Sequence, residues 1–256
     1  MKNPGGRAAG WLLLAGLAAS LTLNGFLAGT LRESYRQQLA AQVWPDPGRD
    51  KPVITGTTKG FNRTILLVGD SRMAEWNLPA PPATRLVNVG RRRATTAQLL
   101  PLLPAWLATF QPDLVIIEAG INDLKYLGLE PGRAPELITL TGQHLRELAR
   151  QSQVRHCPVM LLTVWPPDRP DWRRELVWNA AISESVNTLN QQMLAAPVTP
   201  EFEVIDVFAR AGLSPGPATY RDALHLQPAA YQRLTAALTN APAWCQPAPL
   251  RPANHQ

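Results

Sequence analysis

The chain alternates between short, continuous runs of apolar residues and longer stretches in which apolar residues recur every three or four positions. The short runs predict buried β-strands, because runs of this length bounded by turn-forming residues are typical of strands. The predicted strands span 64–68, 86–89, 113–120, 159–165 and 202–208. The clearest is "DLVIIEAG" at 113–120, in which four apolar residues end abruptly at a glycine-containing turn.

The stretches between these strands have helical spacing. Helices are predicted over 96–110, 135–151, 175–194 and 227–240, although Pro101 and Pro104 disturb the first of them. Continuous apolar strands that alternate with helices predict an α/β fold, with a parallel sheet covered on both faces. Functional sites in such sheets form at the carboxyl ends of the strands, so the residues that follow each strand are the ones to examine for chemistry.

A separate apolar segment lies near the N-terminus. Residues 8–31 form an uncharged run of 24 residues, and about 20 residues suffice to cross a bilayer as a helix. Basic residues precede it, which favours a cytoplasmic N-terminus, although Arg32 and Arg36 follow it. We expect an uncleaved membrane anchor; the alternatives are a cleaved signal peptide and a buried core helix. Anchor and signal peptide would both export the remaining chain to the periplasm or the cell exterior.

The segments that follow suggest the domain organisation. Pro45, Pro47 and Pro52 interrupt any helix that continues from the apolar segment. The predicted organisation is therefore a membrane segment at 1–31, a stalk at 32–61, an α/β domain at 62–241 and a proline-rich tail at 242–256.

Composition limits the classes of function. With 256 residues, 45% of them hydrophobic and 17% charged, the chain can form a substantial core. Its net charge of +6 is compatible with an anionic partner, but no nucleic-acid-binding motif is present and we expect no nucleic-acid partner. The spacing of cysteines, histidines and acids does not predict a metal site, and there is no glycine-rich phosphate loop, so no metal or cofactor is expected.

The two cysteines allow one disulfide. Export of the chain would favour a bond between Cys157, before the fourth strand, and Cys245, after the last helix. Two reduced thiols are the alternative, because the sequence does not show whether the two Cα atoms come within about 7 Å of each other.

Polar residues of catalytic type follow several of the predicted strands. Asp70 and Ser71 follow the first strand, Gly90 follows the second, and Asn122 follows the third. The loop "YRDALHLQPAAY" after the fifth strand contains Asp222 and His225. Each signal alone is weak, since a serine at a strand end is commonly a helix cap. Together they bring a nucleophile, a base, an acid and hydrogen-bond donors to one edge of one sheet.

These segments resemble a known family. "GDS" at 69–71, Gly90, "GIND" at 120–123 and "DALH" at 222–225 are similar to the four sequence blocks of SGNH, or GDSL-type, hydrolases, over roughly residues 62–240. The resemblance implies a flavodoxin-like three-layer α/β/α sandwich, here with a five-stranded parallel sheet, and ester hydrolysis through an acyl-enzyme. The sequence departs from the family pattern at Arg72, often leucine, and at Arg93, often glycine.

The chemistry of these residue types supports the resemblance. The hydroxyl of Ser71 needs a base to remove its proton, and a histidine such as His225 can serve because its ordinary pKa lies near neutrality. Asp222, three residues earlier in the same loop, can orient the imidazole. The backbone N–H groups of Ser71 and Gly90 and the side-chain amide of Asn122 are the predicted donors to the oxyanion.

Four arginines lie beside the predicted catalytic residues. Arg72 follows the nucleophile, and Arg91, Arg92 and Arg93 follow the oxyanion glycine. Arginine is rarely buried without a partner, and its planar guanidinium binds carboxylates and phosphates at two points. We therefore consider the four arginines as binding residues for an anionic substrate. The alternative is a solvated loop in which they pair with nearby acids.

The sequence thus favours a membrane-anchored serine esterase with its active site in the periplasm or outside the cell. The expected substrate is an ester, with O-acetyl groups on cell-surface carbohydrate as the first choice. A lipase or lysophospholipase and an O-acyltransferase with the same catalytic residues remain alternatives. A non-enzymatic glycan-binding or assembly protein is the alternative from a different class.

Overall fold

The structure of the protein is a computed structural model that describes residues 4–41, 51–57, 59–155, 157–171, 175, 177–197, 199, 202–241 and 244. Two compact units are distinguished, one ending at Ala41 and one beginning at Gln42. Cys245 and most of the tail predicted at 242–256 lie outside the described residues, so the disulfide stays a prediction.

The N-terminal unit is one helix, α1 (Pro4–Ala41). Its segment Gly10–Gln37 has a mean hydropathy of 1.7 and is long and apolar enough to cross a membrane. A signal sequence near the N-terminus meets the same criterion, so membrane anchoring and secretion both remain compatible with this helix.

The second unit contains a six-stranded sheet with the order β1-β3-β2-β4-β5-β6. Its strands are β1 (Val53–Gly56), β2 (Arg63–Gly69), β3 (Thr84–Asn88), β4 (Leu114–Glu118), β5 (Val159–Leu162) and β6 (Phe202–Ile205). Strands β2 to β6 correspond to the five predicted strands and pair in parallel.

Strand β1 corrects the expectation of five parallel strands. It pairs antiparallel with β3 and falls within the range predicted as a stalk. Its side chains Val53 and Ile54 are 56% and 47% exposed. An edge strand that remains half-exposed has no need of a long apolar run, and therefore it gave no clear sequence signal.

Helices cover both faces of the sheet. They are α2 (Ser71–Glu75), α3 (Thr96–Leu99), α4 (Leu103–Phe110), α5 (Ile121–Leu124), α6 (Ala134–Gln153), α7 (Ala180–Leu194), α8 (Val207–Arg210) and α9 (Pro228–Thr239). Short 3₁₀ turns span Lys125–Gly128 and Pro131–Arg133. The predicted helix over 96–110 is divided into α3 and α4, and Pro104 lies in the first turn of α4, where its missing N–H costs nothing.

The core consists of two apolar clusters, one on each side of the sheet. Along β2, Leu66 and Val68 belong to the cluster that contains residues of α4, α6 and α7. Ile65 and Leu67 point to the opposite face and belong to the cluster that contains residues of α2, α8 and α9. This alternation, with all four side chains fully buried, gives three α/β/α layers and confirms the predicted fold class.

Candidate active site

Ser71 lies at the carboxyl end of β2, where the chain turns directly into α2. Asp70 caps this helix, because its Oδ1 accepts a hydrogen bond from the backbone N–H of Arg72 at 2.9 Å. The turn needs glycine at residue 69, since a Cβ there would lie 2.1 Å from the backbone oxygen of Glu118 on β4. Ser71 is thereby fixed as the first residue of the helix, and its side chain is largely buried.

The structure brings His225 and Asp222 to this serine. His225 Nε2 lies 3.1 Å from Ser71 Oγ. On the other side of the ring, His225 Nδ1 lies 2.9 Å from Asp222 Oδ2 and 3.1 Å from Oδ1. The three side chains therefore form one continuous hydrogen-bonded chain, across 154 residues of sequence between Ser71 and His225.

Hydrogen bonding determines the tautomer of the neutral imidazole. An ionised carboxylate only accepts hydrogen bonds, so Nδ1 carries the proton and donates to Asp222. In the neutral ring, Nε2 is then the acceptor that faces Ser71 Oγ. Burial raises the pKa of Asp222, but hydrogen bonds from the backbone N–H groups of His225 and Leu224 and from the His225 ring lower the pKa below its ordinary value. Asp222 is thus held as a carboxylate at neutral pH.

The side-chain amide of Asn122, a candidate oxyanion donor, is held by hydrogen bonds at both ends. It lies on α5 directly after β4, the strand that pairs with β2. Its Nδ2 donates to the backbone oxygen of Ala94 at 3.0 Å, while its Oδ1 accepts from Lys125 Nζ at 2.8 Å. One Nδ2 hydrogen therefore remains for a bound group. Ser71 supplies a further donor, because the N–H of the first helical residue has no helical carbonyl to bond.

Gly90 differs from its predicted role as a simple oxyanion donor. Its backbone N–H already donates to Asn88 Oδ1 at 2.9 Å, so an oxyanion would have to share this donor or displace Asn88. Close packing also requires glycine at this position. A Cβ on residue 90 would lie 2.5 Å from the backbone nitrogen of Ala74, within α2, so the glycine lets this loop pack against the helix of the nucleophile.

The structure places Arg72, predicted as a substrate-binding residue, in the protein interior. Its side chain is fully buried. Nη2 donates to Glu118 Oε1 at 2.6 Å and Nη1 donates to the backbone oxygen of Trp165 at 2.7 Å. A guanidinium can be buried here because two carboxyl groups, Glu118 at the end of the adjacent strand β4 and Asp70, lie beside it and share the opposing charge, which the pattern of a single strand does not reveal.

Two buried carboxylates compete for this one guanidinium. Asp70 Oδ1 lies 3.8 Å from Arg72 Nε, a longer contact than the one to Glu118. Burial raises the pKa of Asp70, and it raises the pKa of Glu118 to about 8 against the opposing charge of Arg72. The charge of Arg72 and, for Asp70, that of Lys125 oppose the effect of burial, but the raised pKa of Glu118 favours one proton on this cluster at neutral pH.

The three arginines after Gly90 have different environments. Arg91 is buried, with its guanidinium 5.5 Å from the centre of the Trp106 ring, and its backbone N–H donates to the oxygen of Gly69 at 2.9 Å. The substrate-binding role predicted for Arg91 stays a prediction. Arg92 is exposed and lies 3.6 Å from Glu75. Arg93 is also exposed and has a φ of 65°, a conformation that favours glycine.

Several contributors to the site were not singled out from the sequence. Lys125 bonds to Asn122, and Glu75 on α2 pairs with Arg221 at 2.7 Å, next to the loop of Asp222. Thr96 donates to Asp123 at 2.6 Å and lies 3.0 Å from His144 Nδ1. Ordinary polar residues on helices carry no signal of such distant contacts.

Comparison with known proteins finds a family and solved structures that are similar to this chain. The sequence model of the GDSL-like lipase/acylhydrolase family matches residues 57–233. A GDSL-like lipase from Bacteroides thetaiotaomicron has a similar structure, with a TM-score of 0.55, 16% sequence identity and coverage of 81% of this chain and 95% of that chain.

A member of the lipolytic protein G-D-S-L family from Veillonella parvula gives a TM-score of 0.53 at 15% identity, covering 70% of this chain and 98% of that one. At these identities the similarity establishes the fold alone. No curated protein matches the sequence.

Proposed function

Because the chain belongs to the GDSL-like lipase/acylhydrolase family and is a carboxylic ester hydrolase, we propose that Ser71 is its nucleophile, His225 its general base and Asp222 the acid that orients the base. The observation that carries this proposal is the hydrogen-bonded chain from Ser71 Oγ through the His225 ring to Asp222. A hydroxyl, a neutral ring nitrogen facing it and a carboxylate behind the ring are what acyl transfer to serine requires.

The reaction follows from this geometry. His225 Nε2 accepts the proton of Ser71 Oγ as the oxygen attacks the ester carbonyl, and Asp222 stabilises the imidazolium that results. The imidazolium then gives its proton to the departing alcohol oxygen, which leaves an acyl group on Ser71. A water molecule, deprotonated by the same ring, attacks this acyl-enzyme. The products are a free carboxylic acid and the restored serine.

The negative charge that develops on the carbonyl oxygen needs donors that are already in place. We assign this role to the backbone N–H of Ser71 and to the remaining Nδ2 hydrogen of Asn122, whose amide is held by bonds at both ends. Gly90 is a third donor in the proposal, provided that its N–H is shared with Asn88.

The proposed location is a membrane surface, with α1 as the anchor and the catalytic unit in the periplasm or outside the cell. The length and hydropathy of Gly10–Gln37 support the anchor. An enzyme fixed at this place meets cell-surface polymers, and we propose O-acetyl groups on cell-surface carbohydrate as its substrate.

Arg93 supports an anionic form of that carbohydrate. Of the four arginines considered, Arg72 and Arg91 are buried and Arg92 lies close to Glu75, whereas Arg93 is exposed. Its charge acts on Lys125, which bonds to the candidate oxyanion donor. A planar guanidinium beside the scissile ester suits a carboxylate such as that of a uronic acid.

Active-site labelling tests the proposed catalytic residues. The full-length protein in mild detergent should react with a fluorophosphonate at Ser71 alone. Ser71→Ala or His225→Ala should lower turnover of p-nitrophenyl acetate by about 10⁴–10⁶-fold, and Asp222→Asn by about 10⁴-fold through the wrong imidazole tautomer. The exposed Ser214→Ala is the matched control and should keep both labelling and turnover. Labelling that persists in Ser71→Ala would disprove the assignment.

A panel of substrates tests the proposed specificity. Acetyl esters of p-nitrophenol and of sugars should be cleaved faster than esters with long acyl chains, and free acetate should be released. Faster cleavage of long-chain esters would favour a lipase, and acetate transferred to a sugar hydroxyl would favour an acyltransferase.

A further inference from the structure

A buried lysine lies beside the candidate oxyanion donor. Lys125 is only 8% exposed, although lysine is among the residues least often buried. It begins the 3₁₀ turn that follows α5, and α5 carries Asn122. The proposed roles of Ser71, His225 and Asp222 leave this lysine without a function.

The contact between the two side chains determines the orientation of the amide. Lys125 Nζ lies 2.8 Å from Asn122 Oδ1, and an ammonium group can only donate a hydrogen bond. At the other end of the amide, Nδ2 lies 3.0 Å from the backbone oxygen of Ala94, which can only accept. Both contacts therefore specify the same one of the two flipped orientations. The flip would place Nδ2 against the ammonium and Oδ1 against a carbonyl oxygen.

The positive charge also changes the amide as a donor. A cation bonded to an amide oxygen draws electron density from the nitrogen, so the N–H groups of the same amide donate more strongly. One of these N–H groups bonds Ala94 and the other is available to a bound group. The effect is greatest where water is excluded, and both side chains are buried.

The surroundings of Lys125 place it at the catalytic edge. Strands β2 and β4 are neighbours, and their last residues, Gly69 and Glu118, are paired. The charges of Asp70, adjacent to the nucleophile, and of Asp123 act favourably on Lys125, while that of Arg93 opposes it. Asp70 is therefore close enough to help hold an ammonium group that burial disfavours.

We infer that Lys125 is a positioning residue for ester hydrolysis, which holds the Asn122 amide with one N–H directed at the oxyanion and strengthens that N–H as a donor. The inference rests on the proposed function, in which Asn122 binds the oxyanion. Lys125 acts through Asn122 and makes no contact with the substrate itself.

A double-mutant cycle tests this role. The full-length protein in mild detergent is compared with Asn122→Ala, Lys125→Met and the double variant, with p-nitrophenyl acetate as the substrate. Asn122→Ala should lower kcat by about 10²–10³-fold. Lys125→Met should lower kcat by about tenfold, with KM changed less than about twofold, because the lost interaction is expressed in the transition state. In the Asn122→Ala background the same change should have less than about a twofold effect.

Two further variants complete the design. Lys51→Met, at an exposed position, is the matched control and should leave kcat unchanged. Lys125→Arg keeps a charged donor and should retain more of kcat than Lys125→Met. If Lys125→Met does not fold, as judged by circular dichroism, Lys125→Gln replaces it in the cycle under the same criteria.

The results distinguish a wrong role for Lys125 from a wrong role for Asn122. An equal loss from Lys125→Met in both backgrounds would overturn the inference, since Lys125 would then act independently of Asn122. A loss confined to KM would also overturn it, because it would indicate contact with the substrate. If Asn122→Ala alone leaves kcat unchanged, the proposed oxyanion role of Asn122 is wrong and the inference falls with it.

Discussion

Replacing Glu118 with glutamine should remove a pH dependence from the stability of the protein. Glu118 is fully buried and bonds Arg72, and burial raises its pKa from 4.5 to about 8. When the chain unfolds, the carboxyl returns to its ordinary pKa. Between about pH 4.5 and pH 8 the folded state therefore holds a proton that the unfolded state has released, and wild-type stability from this group declines as the pH rises through this window.

The magnitude follows from the width of that window. Each pH unit inside it changes the free energy of unfolding by at most about 1.4 kcal/mol for one group, which gives a ceiling of about 4 kcal/mol between pH 5 and pH 8. Asp70 competes for the same guanidinium, so the proton is shared between two carboxyls. We therefore expect Glu118→Gln to gain about 2 kcal/mol relative to wild type over this range. Glutamine keeps the oxygen that accepts from Arg72 but does not ionise.

Equilibrium urea unfolding of the full-length chain in mild detergent at pH 5, 6, 7, 8 and 9 measures the effect. The quantity of interest is the difference between variant and wild type, because titrating groups outside the cluster of Arg72, Asp70 and Glu118 cancel in it. Glu184→Gln, an exposed change on α7, is the matched control and should give a difference independent of pH. If the Glu118→Gln difference is also flat, or falls with pH, the carboxyl is ionised throughout and the account of the Arg72 cluster is wrong.

Two further substitutions test the loop after β3. Arg93→Gln should raise KM about 5–10-fold for an acetylated uronic acid oligosaccharide and leave p-nitrophenyl acetate unaffected; equal effects on both substrates would refute charge recognition. Arg150→Gln, in the last turn of α6, is the control. Gly90→Ala should lower the free energy of unfolding by more than about 2 kcal/mol, because the new Cβ would lie 2.5 Å from the backbone of Ala74. Gly132→Ala, which meets open space, should change it by less than about 0.5 kcal/mol, and similar values for the two glycines would contradict the steric argument.

The sequence predicts the parts of the molecule that depend on local patterns. Strands β2, β4, β5 and β6 are largely apolar because helices cover both faces of the sheet, and such runs are visible in the chain itself. The candidate catalytic residues follow from the same rule, since Ser71 and Asn122 come directly after adjacent parallel strands. Asp222 and His225 are close in sequence, and the contact between them needs only one loop.

Contacts between distant segments were not predictable in the same way. Arg72 resembles a solvated arginine until Glu118, 46 residues later, is known to lie beside it. The role of Lys125 depends on the orientation of one amide and leaves no sequence pattern. Strand β1 was missed because its stability comes from pairing with β3 and not from an apolar run of its own.

The separation of the site into one local contact and one distant contact has a consequence for folding. The Asp222–His225 pair spans three residues, so it can form as soon as its loop closes, at small cost in chain entropy. The Ser71–His225 contact spans 154 residues and requires the parallel sheet to be assembled from β2 to β6 first. Reactivity of the serine toward a covalent probe therefore marks the last stage of refolding, whereas the contact that orients the histidine ring forms early. In a refolding experiment, labelling of Ser71 therefore reports when the sheet is complete, whereas the Asp222–His225 contact does not.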